Sequence, residues 1–451
     1  MSSASNPHAA DVGRLTIAGG HVGGTIRVPG DKSISHRVAL FAALASGTST
    51  IRGFSHGDDC QATLSALRSL GIEHAWDEQV LSIHGHGRDG LSAPAAAIDC
   101  GNSGTTMRLL CGLLAPQGFS SILIGDDSLS RRPMERVAAP LRQMGARITT
   151  TDGCPPLRID GNPHLKAARI EIDVASAQVK TALTLAALYA DGESRVSAPG
   201  MVRDHTERLL PLFGCPVRAE GQATVVPGRV DLQAIEFSVP GDISAAAFFM
   251  VAACLAGHEL TRIVDVGLNP GRSALIGLLQ GMGARIEVTE HSAEAAEPIG
   301  EIRIWRSDLT GVDVPTELVA PAIDEFPALC VAAACARGET TIRGARELRF
   351  KESDRIETMA VALRTLGVFV QTSSDGMLIR GGEIDGGTVD CAGDHRIAMA
   401  LSILGLVSRD PVTVIGTECI QTSFPGFQDL LAKAGATVID NPETQVSGEV
   451  Q

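Results

Sequence analysis

The chain has 451 residues, enough for two or more domains, and 44% of them are hydrophobic while only 3% are aromatic. Its core must therefore rest on Ala, Leu, Val and Ile, which suits Ala-rich helices packed closely on sheets. A formal net charge of −14 argues against a protein that coats a polyanion, yet a cleft can still concentrate positive charge for a small anion.

Residues 1–13 are polar, with no basic start and no apolar stretch, so no signal peptide is expected. A strand then leads into VPGDKSISHR at 28–37, where Gly30 and Asp31 form a turn and Ser33 is a candidate cap. Lys32 and Arg37 stand at the start of this first apolar helix. A helix N-terminus carrying a Lys suits an anion, although the glycines of a Walker A loop are missing. An amphipathic helix follows and stops at Gly71.

GNSGTTMR, 101–108, opens a second apolar helix near Gly104, and its glycines allow a backbone to approach phosphate or carboxylate closely. SLSRRPMER, 128–136, sets Arg131 and Arg132 before a helix that stops at Gly145. One of the two is expected to enter a site, where a planar fork matches an oxyanion. SAQVKTA, 176–182, begins a third apolar helix near Ala177, with Ser176 and Gln178 suited to hydroxyls or phosphate. Gln178 needs a partner if buried. Arg203 lies in MVRDHTER, ahead of a stop at Gly214.

At 239–257 the chain returns to VPGDISAAAFFMVAACLAG, with Ile243 where the first copy has Lys32. Charge arms one copy only, which points to a site between the halves. The run Ala245–Ala256 is the longest apolar stretch and is too short to span a bilayer. After a stop at Gly283, PAIDEFPA places Asp324 and Glu325 before a fifth apolar helix, which one of the two would cap. RFKESDR, 349–355, packs Arg349, Lys351, Glu352, Asp354 and Arg355 together; so dense a run is ordinarily a solvated face. Ser353 and Asp354 nevertheless lead into a helix that stops at Gly367. GDHRIAMA, 393–400, opens the sixth apolar helix near His395 with Arg396, and the last stop is Gly435.

The six glycine stops recur 68 to 84 residues apart, each followed by a short β-prone run. Six such units suggest two lobes of three, with the apolar helices inside, the sheets outside and crossings near 28 and 239. An ordinary doubly wound α/β protein is the simpler alternative. If the charged helix starts of the two halves face each other, dipoles and cations converge on one cleft for small, multiply anionic molecules. The ten cysteines are scattered without a C-x-x-C pair, as free thiols are in a reducing, cytoplasmic setting. No H-E-x-x-H or G-x-S-x-G pattern points to a metal site or a serine nucleophile.

VPGDKSISHR, GNSGTTMR, SRRPM, SAQVKTA, IDEFP, KESDR and DHR, in this order between about residues 14 and 437, resemble the 5-enolpyruvylshikimate 3-phosphate synthase family. The resemblance implies an α/β fold, a two-lobed inside-out α/β barrel with three βαβαββ units per lobe. Residues 30–239 would form a continuous lobe on the shikimate 3-phosphate side. Residues 1–29 plus 240–451 would form a discontinuous lobe carrying the catalytic carboxylates and the phosphoenolpyruvate side. The implied reaction moves the enolpyruvyl group of phosphoenolpyruvate to the 5-hydroxyl of shikimate 3-phosphate through a tetrahedral intermediate, with phosphate released. No cofactor, metal, nucleic acid or membrane partner is implied, and a monomer is expected.

By motif, Lys32, Gly104, Arg132, Gln178, Arg355 and Arg396 would hold phosphoenolpyruvate. Lys32, Ser33, Arg37, Ser176, Ala177, Gln178, Arg203, Asp324 and Lys351 would hold shikimate 3-phosphate. Asp324 matches the base for the 5-hydroxyl, and Glu352 and Lys32 match the candidates for protonating the methylene carbon. Two departures stand out. Thr422, in QTSFP, occupies a position where some members carry Lys. SAQVK and SRRPM resemble a herbicide-tolerant branch, but Gly104 is not the Ala common there, and glyphosate would compete at the phosphoenolpyruvate position. Three other readings compete: a sister transferase acting on UDP-N-acetylglucosamine, an RNA-end cyclase of related repeats and a catalytically silent sugar-phosphate binder. The sister typically has Asn after the Lys and a loop Cys, where this chain has Ser33 and no Cys in SLSRRPM. The cyclase would want a basic groove.

Overall fold

The computed structural model describes residues 13–291 and 296–439. The six apolar helices form where the pattern places them: Lys32–Leu44, Gly104–Leu114, Ala177–Ala187, Ile243–Ala256, Phe326–Cys335 and His395–Leu404. Ile243–Ala256 is buried on every side, with Leu255 alone half-buried, which an all-round apolar helix requires. Each is followed by an amphipathic helix: Asp58–Ser69, Glu135–Gln143, His205–Leu209, Ala274–Gly281, Arg355–Thr365 and Phe427–Ala434. The stops at Gly71, Gly145, Gly214, Gly283, Gly367 and Gly435 all take left-handed φ values, from +82° to +118°. A Cβ is disfavoured there, so glycine ends the helix and turns the chain into the next strand. At Gly71 the closing bonds run from Gly71 N–H to Arg68 and from Ile72 N–H to Leu67, both 3.0 Å.

The sheets repeat one plan. Ile98–Asp99, Ser120–Ile124, Cys154–Asp160 and Arg147–Thr151 lie in that order, the first pair parallel and the rest antiparallel. The same order recurs in Arg169–Glu171, Ser194–Ser197, Ala223–Val226 and Arg218–Glu220. Residues 14–26 complete two sheets made by the second half of the chain. Arg14–Gly20 pairs with Val412–Ile415 and Ala436–Ile439, while Val22–Ile26 runs parallel to Gly257–Gly267. Among the described residues six separate sheets of three to five strands result. None closes on itself, so the expected inside-out barrel is not a closed sheet among the described residues.

Two apolar cores form beneath these sheets. One draws on residues 15–26 and 243–436, the other on residues 34–239. In the first, the Ile243–Ala256, Phe326–Cys335 and His395–Leu404 helices pack on one another. The two VPGD copies meet where the chain passes between the cores. They run antiparallel, with Asp31 N–H donating to Pro240 O and Asp242 N–H to Pro29 O, each at 2.8 Å. Gly30 is obligatory here, because a Cβ would lie 1.7 Å from Gly53 O. Among the described residues no helix is long and apolar enough to cross a membrane. All ten cysteines are unpaired thiols, and seven are buried.

Candidate active site

The helix starts are held by side-chain caps that leave the neighbouring positions free for ligands. Asp31 accepts from Ile34 N–H at 2.9 Å, Ser103 from Thr106 N–H at 3.1 Å and Ser176 from Val179 N–H at 3.4 Å. Asp394 accepts from Arg396 N–H at 3.0 Å. Two cap expectations fail. Ser33 is already inside the helix, so Asp31, whose backbone is non-helical, takes the role. Neither Asp324 nor Glu325 caps Phe326–Cys335: Glu325 stands at the position without a capping bond, and its carboxylate turns to Ser244. Asp324 turns to cations instead.

Four cations surround Asp324. Arg203 Nη2 donates to it at 2.6 Å and Lys351 Nζ at 3.2 Å, while Arg355 Nη1 lies 3.5 Å and Arg396 Nη2 4.0 Å away. Burial alone would raise its pKa, but Lys351, Arg203, Arg396 and Arg355 together hold the carboxyl well below its ordinary value. Arg203 and Asp324 come from different cores, as do Arg132 and Glu352, whose Nη1 and Oε1 are 3.5 Å apart. Arg355, 2% exposed, donates to Glu352 at 2.6 Å and to Asp394 at 2.8 Å. Arg355 and Arg132 outweigh burial and keep Glu352 well below the usual carboxylate range. The charge run at 349–355 is thus not a solvated face. Its second half joins the ion-pair cluster around Asp324, and Arg349 closes back on Asp354 at 2.5 Å.

On the opposite wall, Lys32 Nζ donates to Asp59 at 2.7 Å. Burial pushes the ammonium pKa down, but Asp59 and Glu352 more than offset this, and Lys32 is held above its ordinary value. Arg132, not the exposed Arg131, enters the site, bonded to Asn102 Oδ1 at 2.7 Å. A Cβ on Gly104 would stand 3.1 Å from Arg132 Nη1 and 3.0 Å from Arg108 Nη1. The half-buried Gln178 accepts from Arg108 at 2.7 Å and donates to Thr105 at 2.9 Å, so its amide is partnered at both ends.

This meeting of helix starts from two cores around paired carboxylates and clustered arginines coincides with a sequence match. The family model described as EPSP synthase (3-phosphoshikimate 1-carboxyvinyltransferase) matches residues 17–431. The chain belongs to the EPSP synthase family. The 3-phosphoshikimate 1-carboxyvinyltransferase of Pelobacter propionicus is 50% identical over 418 residues, 92% of this chain and 97% of that protein. That of Methylococcus capsulatus is 48% identical over 433 residues, 96% of this chain and 99% of its own. The solved EPSP synthase from Acinetobacter baumannii superposes with a TM-score of 0.84 at 45% identity, covering 95% of this chain and 100% of that one. EPSP synthase membership favours neither the UDP-sugar transferase nor the RNA-end cyclase.

Some residues expected at the EPSP synthase site are engaged elsewhere in this structure. Arg37 is 2% exposed and donates to Thr206, Thr181 and the Ser33 carbonyl at 2.8 to 2.9 Å. With burial dominant, its pKa drops to about 10. Ser33 and Ala177 are half-buried beside it, and Ser176 is held as a cap. Thr422 bonds to the Cys419 carbonyl at 2.8 Å. Three site residues escaped the sequence reading: Asp59, Arg108 and Asn102. Asp59 lies at the start of Asp58–Ser69, so the helix-start signal applied to it too. Arg108 and Asn102 sit inside GNSGTTMR, a motif whose composition signals backbone N–H groups and gives these two side chains no role of their own.

Proposed function

We propose that the chain, as a member of the EPSP synthase family, transfers the enolpyruvyl group of phosphoenolpyruvate to the 5-hydroxyl of shikimate 3-phosphate, with phosphate released. The observation that carries the reading is the ring of four cations around Asp324, drawn from both cores. Such a ring suits the carboxylate and phosphate groups of two anionic substrates. Arg132, Arg355, Arg396 and Lys32 grip phosphoenolpyruvate. Arg203, Lys351, Ser33, Ser176 and Gln178 face shikimate 3-phosphate, with Arg37 and Ala177 behind them.

Asp324 is ionised and takes the 5-hydroxyl proton as the oxygen attacks C2 of phosphoenolpyruvate. When anionic substrates draw Arg203 and Lys351 toward themselves, Asp324 loses counterions and becomes a stronger base. Lys32, held protonated, donates to the methylene carbon, whereas Glu352 is ionised and suited to take that proton back during elimination. Phosphate then leaves against the arginines that held it.

The two cores support a two-lobed reading: residues 30–239 as one lobe and residues 1–29 with 240–451 as the other, each an inside-out barrel of three units. Residues 1–12, 292–295 and 440–451 of that division lie outside the described residues. A monomer in a reducing cytoplasm completes the reading, the compartment supported by ten cysteines scattered without a C-x-x-C pair. Phosphate release, measured with both substrates and with each omitted in turn, tests the activity. Release must require both; release supported by UDP-N-acetylglucosamine in place of shikimate 3-phosphate would overturn it.

A further inference from the structure

Arg272 is 1% exposed and touches no position expected to meet substrate, yet it ties together the supports of both catalytic walls. Its Nη1 donates to Asp31 Oδ2 at 3.0 Å, and its Nη2 to Asp242 Oδ1 at 2.9 Å and to Ser244 Oγ at 2.6 Å. Asp31 and Asp242 are the last residues of the two VPGD copies and cap the two helices that follow. Asp242 Oδ2 also accepts from the backbone N–H of Lys32 at 3.2 Å. Ser244 in turn bonds to Glu325, the neighbour of Asp324. One guanidinium thus spans the start of the Lys32 helix, the start of its duplicate and, through Ser244, the start of the Asp324 helix.

The charge pattern explains why the arrangement holds. Asp31, Asp242 and Glu325 place three carboxylates around one buried cation. The N-termini of Lys32–Leu44, Ile243–Ala256 and Phe326–Cys335 add roughly half a positive charge each, so Arg272 and the three helix ends offset most of the acidic charge, and the buried Arg37 also attracts Asp31. Removing the guanidinium leaves like charges facing each other across the crossover, and they would drive the helix starts apart. A planar fork reaches both aspartates at once; an ammonium reaches them as a point charge.

We propose that Arg272 is a positioning residue, a buried clamp at the crossover that sets the separation of Lys32 and Asp324 across the cleft. The proposal rests on the reading of those two residues as catalytic. A displacement on the order of 1 Å at reacting groups can cost about a hundredfold in rate, so the effect belongs in turnover rather than in ligand affinity. Arg272→Met, Arg272→Lys and Ser244→Ala test it, with kcat, KM for each substrate, shikimate 3-phosphate affinity and Tm measured on each. Arg272→Met is expected to lower kcat about 10- to 100-fold with KM and affinity changed less than about threefold, and Arg272→Lys to recover part of the loss. Ser244→Ala keeps both aspartate contacts and the fold, and is expected to lose kcat several-fold with little change in Tm. A folded Arg272→Met with kcat within about twofold of the parent overturns the clamp. If that variant does not fold, unchanged kcat in Ser244→Ala does the same. Lys32→Ala and Asp324→Ala run alongside: full turnover in both would refute the catalytic reading itself, independently of Arg272.

Discussion

Asp324 owes its ionised state to its surroundings, and its removal should separate binding from chemistry. Asp324→Ala frees Arg203, Lys351, Arg355 and Arg396 from their shared carboxylate, so an anionic substrate loses nothing electrostatically. Turnover is expected to fall about a hundred- to ten-thousand-fold while shikimate 3-phosphate still binds. Titration of the ligand and steady-state kinetics on the same variant check both halves of that statement, and substantial remaining turnover would remove Asp324 from the base role. Lys32 gives a prediction in pH. Asp59 and Glu352 raise its pKa against burial, so its proton is retained through neutral pH and lost only as pH climbs past the raised value. Asp59→Asn removes the larger supporting charge, and the alkaline limb of kcat/KM should move to lower pH. An unmoved limb would mean that Lys32 is not the titrating donor.

Gly104 is the third residue with a measurable consequence. A methyl there would meet the terminal nitrogens of Arg108 and Arg132 at 3.0 and 3.1 Å, so both guanidinium groups must give by a few tenths of an ångström. On the proposed assignment of this wall to phosphoenolpyruvate, the site narrows where glyphosate would compete. Gly104→Ala should need at least about tenfold more glyphosate for half inhibition, a difference of about 1.4 kcal/mol in binding. Equal inhibition of the two proteins would refute the steric account.

Among the elements, the helix starts and glycine stops were legible in the sequence because each is a local device. Capping needs an oxygen one residue ahead of the helix, and a left-handed stop needs a missing Cβ. The same locality explains what could not be read. Nothing near NPGRSA distinguishes a buried Arg272 from a solvated one, since its partner Asp31 lies 241 positions away. The run RFKESDR looked exposed for the same reason: the Asp394 and Asp324 carboxylates that bury Arg355 come from other helix starts. The crossover is the element most sensitive to backbone change. Gly30→Ala would drive a Cβ into Gly53 O and should cost about 3 kcal/mol in urea unfolding. Gly23→Ala, with nothing within 4 Å of the added carbon, should stay within about 0.5 kcal/mol. Equal midpoints would show that the crossover tolerates the strain by moving apart.

At the scale of the molecule, a duplicated frame is charged unevenly. The copy at 28–37 supplies Lys32 to the site, the copy at 239–257 supplies only support, through packing and the Asp242 and Ser244 bonds to Arg272, and the other proposed acid–base groups come from farther along the second half. The sixfold spacing and the armed helix starts made the two-core plan legible. The joining of the first and last sheets by residues 14–26 followed only in outline, because strand pairing across the whole chain leaves no local trace. The central claim is that groups from both cores act on one pair of substrates. A crystal structure with shikimate 3-phosphate and glyphosate bound together tests it most directly. The account predicts glyphosate between Lys32, Arg132, Arg355 and Arg396, with Asp324 within hydrogen-bond reach of the 5-hydroxyl. Ligands held by one core alone, with Asp324 out of reach of that hydroxyl, would contradict it.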